Sequence, residues 1–296
     1  MAPVSVVSPA TFRYIREEIK GNPAIFVDIF NIVLPILYFL TVGTYGRAFF
    51  SDALWAKQLK TKLLSITVTL HAVYLIARTA AFDHPPVTTI FEIFSVLAFS
   101  VAATYLFIEV RSHRKETGYF IINIAFFFQT ASSIFIRDIN QVPEILRSNL
   151  FGIHVTAALL GYAAITIAGA YGFLYLMLYH EMKASRFGVI YKKLPNLETL
   201  ERMTMTATRM AFVLLGTAIV FGLVWLYHVF STLYFADPKL IGTVLIWALY
   251  GIILAARRSS GWKGRKVMML SIVGFAVSIF SLTIINIFFS GFHKFY

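Results

Sequence analysis

The 296-residue chain contains no cysteine. That excludes a disulfide framework, thiolate nucleophiles, Fe–S clusters and Cys zinc sites, and also self-attachment of haem through a CxxCH motif. Charge is scarce as well. Only 14% of residues are charged, and the 14 acidic residues are outnumbered by 26 lysines and arginines, for a net charge of +12. A soluble domain carries about 25% charged residues. No Gly-rich phosphate loop, HExxH, GxSxG or paired-carboxylate arrangement is present, so a hydrolase or ATPase finds no support. Hydrophobic types are abundant instead, at 58% of the chain with a mean hydropathy of +0.75. This composition specifies a polytopic membrane protein and rules out a soluble enzyme, a disordered chain and a fibrous one.

A membrane helix needs about 20 mainly apolar residues. Eight runs qualify, near 26–46, 63–82, 87–109, 118–136, 151–180, 207–231, 240–256 and 267–290. The fold class expected is therefore all-α: an integral membrane bundle of about eight transmembrane helices filling residues 26–296. Residues 1–25, with Arg13, Arg16, Glu17, Glu18 and Lys20 between apolar positions, read as an amphipathic surface segment rather than a cleavable signal. The longest polar connection is 183–206. Eight spans put both termini on one side. Eighteen lysines and arginines fall in the loops near 47–62, 111–117, 183–209 and 257–266, and eight fall on the other side. The positive-inside rule makes the first side cytoplasmic and both termini extracytoplasmic. The basic residues thus report topology, and a nucleic-acid partner is not expected.

Ionisable residues inside apolar runs are expensive, so each is a candidate for function. His71 lies about nine residues into the second run, roughly 13 Å deep at 1.5 Å per residue. Two readings fit it: a neutral imidazole hydrogen-bonded across a helix interface, or a cofactor ligand. Arg78 follows seven residues later, and Glu92 sits at similar depth in the next run. They could form a buried pair, or Arg78 could reach the headgroups. His154 opens the fifth run and His293 follows the eighth, both on the extracytoplasmic side. Two histidines at matched depth can flank one iron, or they can be plain boundary residues. His84, His113 and His180 read as solvated loop or boundary residues. His228 ends the sixth run on the extracytoplasmic side and reads first as a boundary residue, with a third ligand or a proton relay as the alternative. Trp225, Tyr227, Phe230, Tyr234 and Phe235 form a dense aromatic cluster before Asp237-Pro238-Lys239. It suits an interfacial belt or a shelf for a flat macrocycle.

The segment 225–250 reads W-L-Y-H-V-F-S-T-L-Y-F-A-D-P-K-L-I-G-T-V-L-I-W-A-L-Y. It resembles the tryptophan-rich signature of the cytochrome c assembly family, the CcsA, ResC, CcmC and HemX group. Trp225, Asp237, Pro238, Lys239, Trp247 and Tyr250 fall on matching positions without a gap. G-W-K-G-R-K at 261–266, S-G-F-H at 290–293 and H-V-T-A-A-L-L-G-Y at 154–162 match as well, as does the order His71, Arg78, Pro86, Glu92. The resemblance covers about 65–296.

This resemblance implies haem handling in a bacterial-type cytoplasmic membrane. It would make His154 and His293 the outer axial ligands of a non-covalent haem b, and His71 a transmembrane ligand. The loop 226–239 would be the haem platform, with Trp225, Phe230, Tyr234 and Asp237 around it and Lys239 or Arg147 near the propionates. An extracytoplasmic-domain partner and an apocytochrome c are implied too, since nothing in the chain remains for a soluble domain. The signature departs at Phe230, Tyr234 and Ala236, where tryptophans are usual, and at Leu240, where glutamate is usual. Ala255 stands where the second transmembrane histidine is expected. These departures tell against a bis-His transmembrane site. They keep two further readings open: a HemX-type regulator of tetrapyrrole synthesis, and a haem-free accessory subunit of a larger membrane complex. A chaperone or transport role is expected rather than catalysis.

Overall fold

Hydrocarbon offers no hydrogen-bond partners, so a spanning segment must satisfy its own backbone, and a helix does so. A computed structural model of the chain describes residues 9–112, 115–138, 148–230, 238–259 and 261–285, with backbone alone for 9–24, 112, 230 and 285. Among the described residues every regular element is helical: α1 (Pro9–Phe50), α2 (Leu54–Phe82), α3 (Ile90–Ser112), α4 (Gly118–Phe135), α5 (Asn149–Lys183), α6 (Val189–Lys193), α7 (Leu197–Phe230), α8 (Pro238–Ser259) and α9 (Arg265–Phe280). A wider π-helical turn, Ser281–Ile285, continues α9. All but the five-residue α6 contain a stretch long and apolar enough to cross a membrane, which gives the eight spans expected from hydropathy.

The helices extend beyond their apolar runs. α2 begins at Leu54 and α7 at Leu197, about a turn or more ahead of the hydrophobic segments. Backbone hydrogen bonding does not stop at the edge of the hydrocarbon, and Lys57, Lys60 and Lys62 carry α2 into the polar layer. The polar connection at 183–206 is largely α6 and the first turns of α7. The backbone is helical on both sides of residue 25.

Two groups of helices pack side by side. α1 to α4 contact one another in one group, and α5, α7, α8 and α9 do so in the other, with α3 against α5 joining them. α5 is central and buried around its circumference from Gly161 to Gly172, which is why its sequence shows no apolar stripe there. Small residues let its neighbours close in. A Cβ at Gly169 would lie 2.6 Å from Phe275 of α9, and one at Gly161 would lie 3.0 Å from Leu215 of α7.

Successive loops alternate between two ends of the bundle. At the basic end, Asp52 in the α1–α2 turn pairs with Lys57 and with Lys193 of α6, each at 2.6 Å. Lys193 also donates to the Phe49 carbonyl at 2.7 Å. Glu201 of α7 pairs with Arg257 of α8 and accepts from the Gly264 amide at 3.1 Å. The opposite end carries the α2–α3 turn, the start of α5 and the end of α7, and the candidate site lies there.

Candidate functional site

α5 and α7 run antiparallel in a fixed register. Phe151 faces Trp225, His154 faces Gly222, and Gly161 faces Leu215. The first two pairs sit one turn apart on each helix, so a single face of α5 meets a single face of α7.

The His154 ring is seated directly on Gly222. A Cβ there would lie 2.6 Å from Nδ1. Without that Cβ the backbone carbonyl of Ala218, four residues earlier, is open to the ring, and His154 Nδ1 lies 2.8 Å from it. A carbonyl only accepts, so Nδ1 carries the proton and the neutral ring has its lone pair on Nε2. That is the tautomer of a metal-ligating histidine oriented by a backbone carbonyl. Phe151 sits against both partners, with ring centroids 6.4 Å from His154 and 5.2 Å from Trp225. Trp225 is buried, and among the described residues its Nε1–H has no acceptor. A buried donor without a partner costs about 1–3 kcal/mol, and a ligand carboxylate would satisfy it. These features fit haem: a nitrogen lone pair for iron, aromatic surface for a macrocycle and a donor for a propionate.

His71 is in the other helix group, fully buried. Its Nδ1 is 3.0 Å from Tyr38 Oη of α1, and its Nε2 is 3.0 Å from Ser95 Oγ of α3. Ser95 Oγ in turn donates to Gln129 Oε1 of α4 at 2.9 Å, and Gln129 Nε2 donates to Ser133 Oγ at 3.0 Å. Because Ser95 spends its one proton on Gln129, it accepts from His71 Nε2–H. His71 Nδ1 then accepts from the Tyr38 hydroxyl. The result is a one-way chain of neutral groups linking four helices, with both imidazole nitrogens engaged.

Nearer the site end, two turns after His71 on α2 and one turn before Ser95 on α3, Arg78 and Glu92 form the buried pair. Arg78 Nη2 and Nε donate to Glu92 Oε1 at 3.0 and 3.1 Å, and the two side chains are 2% and 0% exposed. Asp138 adds a contact of 3.1 Å to Arg78. Glu92 also completes a capping box on α3: its carboxylate accepts from the Thr89 amide, and its own amide donates to Thr89 Oγ1 at 3.1 Å.

Trp247 stacks on Phe212 at 4.9 Å and donates to the Phe212 carbonyl, and Ala255 is exposed. His228 and His180 are exposed. His84 differs from the solvated residue the sequence suggests. It is 3% exposed and its Nδ1 lies 2.9 Å from the Pro85 carbonyl. Two prolines and the left-handed Asp83 at the end of α2 turn the chain back over it. Of the residues expected around haem, His154 and Trp225 are brought together and His71 is held apart. Phe230 ends α7 as backbone alone. His293, Tyr234, Asp237 and Arg147 lie outside the described residues.

With this geometry in place, similarity to known proteins becomes informative. Residues 36–293 match the family described as cytochrome C assembly protein. The chain belongs to that family. It is 26% identical over 268 residues to Protein HemX of Brevibacillus brevis, covering 82% of this chain and 96% of that protein. It is 26% identical over 245 residues to Protein HemX of Bacillus subtilis, covering 82% and 88%. It is also 26% identical over 289 residues to the cytochrome c biogenesis protein CcsA of Prochlorococcus marinus (strain MIT 9301), covering 88% and 92%. The chain is thus a multi-span membrane protein of the cytochrome c assembly family.

Sequence reasoning missed Phe151, Ala218 and Gly222. Phe151 and His154, like Gly222 and Trp225, are three residues apart, which marks each pair as sharing a helix face. Only the packing of α5 on α7 says that the two faces meet.

Proposed function

We propose that this protein handles haem b for cytochrome c assembly, holding it non-covalently at the end of the bundle opposite the basic loops, between His154 and His293. The observation that carries this reading is the His154 ring, seated on Gly222 and oriented by the Ala218 carbonyl beside Phe151 and Trp225. The absence of cysteine supports the non-covalent form. The excess of lysine and arginine at the other end supports placing that end in a bacterial cytoplasm, with both termini and the haem site outside. Haem supplies a redox iron and two carboxylates. On this reading His154 and His293 would hold the iron, Phe151 and Trp225 would cover apolar surface, and Trp225 Nε1 would supply a donor for a carboxylate. Phe230, Tyr234 and Asp237 belong to the adjoining platform. His71 serves as the hub of a hydrogen-bonded core rather than as a ligand. A partner with an extracytoplasmic domain would present the apocytochrome, and the role is that of a chaperone.

The test is the visible spectrum of the detergent-purified protein, oxidised and reduced, with a pyridine haemochrome assay. A Soret band with sharp reduced α and β bands, lost in His154→Ala combined with His293→Ala, is the expected result. Wild-type spectra in that double variant, together with unaffected cytochrome c maturation, would overturn it.

A HemX-type regulatory role is the second reading. The closed hydrogen-bond chain around His71 and the exposed Ala255 favour it, because they leave no paired transmembrane ligands. Deletion distinguishes the two: loss of mature c-type cytochromes supports the first, and altered tetrapyrrole synthesis with normal cytochromes supports the second.

A further inference from the structure

The last two spans match the bilayer in length. α8 has 22 residues and the span Arg265–Ile284 has 20, which rise about 33 and about 30 Å. The hydrocarbon core is about 30 Å thick. α2, α5 and α7, with 29, 35 and 34 residues, overshoot it. The connection from α8 to α9 is therefore held at the level of the lipid headgroups, at the basic end of the bundle.

Residues 257–266 read R-R-S-S-G-W-K-G-R-K, with five cations and no carboxylate. They follow the apolar run of α8 directly and precede that of α9 directly. A cluster of about four to eight cations in this position suits anionic lipid. The ends of the turn are tied down. The Glu201 carboxylate holds both Arg257 at the end of α8 and the Gly264 amide, just before α9. The Trp262 amide donates to the Ala256 carbonyl at 3.3 Å. Gly261 and Gly264 take φ of 62° and 61°, the left-handed region that a glycine enters without strain. Lys266 Nζ lies 5.8 Å from the centre of the Trp262 ring.

Glu201 neutralises Arg257 within the protein. Arg258, Lys263 and Arg265 are exposed, and among the described residues none of them has an acidic side chain within ion-pair distance. The helices that flank the turn carry exposed aliphatic stripes: Leu245 and Ile252 on α8, and Met269, Val273 and Val277 on α9. Cations at headgroup depth above aliphatic surface match a molecule with a phosphate at one end and acyl chains at the other.

We propose that this turn binds the phosphate of an anionic glycerophospholipid in the leaflet at the basic end. Arg258, Lys263 and Arg265 supply the charge, Trp262 sits at the boundary of headgroup and acyl chain, and the stripes of α8 and α9 take the chains. The site is independent of the haem reading.

The full chain, purified in detergent and delipidated, is titrated with dioleoylphosphatidylglycerol or dioleoylphosphatidylcholine, and bound lipid is counted by native mass spectrometry. The wild type is expected to prefer the phosphatidylglycerol, by less as salt is raised. Arg258→Gln with Lys263→Gln and Arg265→Gln should weaken that binding about tenfold or more. Lys183, Arg186 and Lys192, exposed around the α5–α6 connection, are the control. Changing all three to Gln removes the same charge and should leave binding at the wild-type level. Circular dichroism checks folding. If the first triple variant does not fold, Lys263→Glu alone should weaken binding about threefold or more. Equal binding of the two lipids, equal losses in the two triple variants, or wild-type affinity in the turn variant that folds would overturn the site. Displacement of the lipid by an equal concentration of soluble glycerophosphoglycerol would overturn it too, by showing a site for phosphate without the chains.

Discussion

Gly222 and His154 fit together as a seat and its ring: a single Cβ at Gly222 would lie 2.6 Å from Nδ1 and 2.8 Å from Cε1. The first prediction comes from this contact. Gly222→Ala must push the imidazole off the Ala218 carbonyl. Loss of an orienting partner of a metal ligand costs about 10–100-fold in affinity. The variant should therefore bind haem at least tenfold more weakly, with a shift from low-spin toward high-spin absorption, while remaining helical. Wild-type affinity and spectrum would dissociate His154 from haem.

Trp225→Phe keeps the aromatic surface beside Phe151 and deletes only the unpaired donor. In the haem-free protein the change should be neutral or slightly stabilising, because an unsatisfied buried N–H is removed. In the haem-loaded protein it should lower both affinity and thermal midpoint. Thermal unfolding of the two forms side by side reads the contrast. Equal effects in both would show that Trp225 is a packing residue.

His71→Ala cuts the hydrogen-bond chain in its middle, leaving Tyr38 and Ser95 with lost partners inside the bundle. A loss of about 2–4 kcal/mol is expected from two orphaned groups and a cavity. Haem content of the folded fraction should stay unchanged. A folded His71→Ala protein with less haem and an altered spectrum would restore His71 as a ligand.

Arg78 and Glu92 should show strong non-additivity. Removing either alone leaves a buried charge and costs about 3–5 kcal/mol. Replacing both by Met should recover a large part of that loss. A double-mutant cycle on unfolding in detergent measures the coupling, and additive losses would contradict the pairing. Glu92→Gln also weakens the capping box at the start of α3, so it should be somewhat worse than the pairing alone predicts.

Asp52 provides a pH-dependent tie at the basic end. Hydrogen bonds from Lys193 and Lys57 hold its carboxyl down at about 2. A depressed carboxyl stabilises the fold above its unfolded value of about 3.9, and that contribution disappears as pH falls toward 2. The group is exposed and screened, so the effect is small. Asp52→Asn should flatten the stability profile between about pH 4 and pH 2 and leave it unchanged in shape above pH 5. An acid limb identical to wild type would show that the tie contributes nothing.

Much of this architecture was legible in the sequence. Hydropathy is a local property, and lipid forces each apolar run to close its own hydrogen bonds, so eight spans could be counted before any packing was known. The tryptophan-rich segment, His154 and the departures at Phe230, Tyr234 and Ala255 were also plain in the residues. Where the imidazoles stand was not. His71, His84 and His154 look alike in a linear chain. One is engaged at both nitrogens, one lies buried under a proline turn, and one is fixed on a glycine of another helix. The amino-acid sequence determined the spans, their alternation and the family. Only the tertiary structure decided which groups His71 and His154 meet, because those carbonyls and hydroxyls are brought from helices far away in the chain.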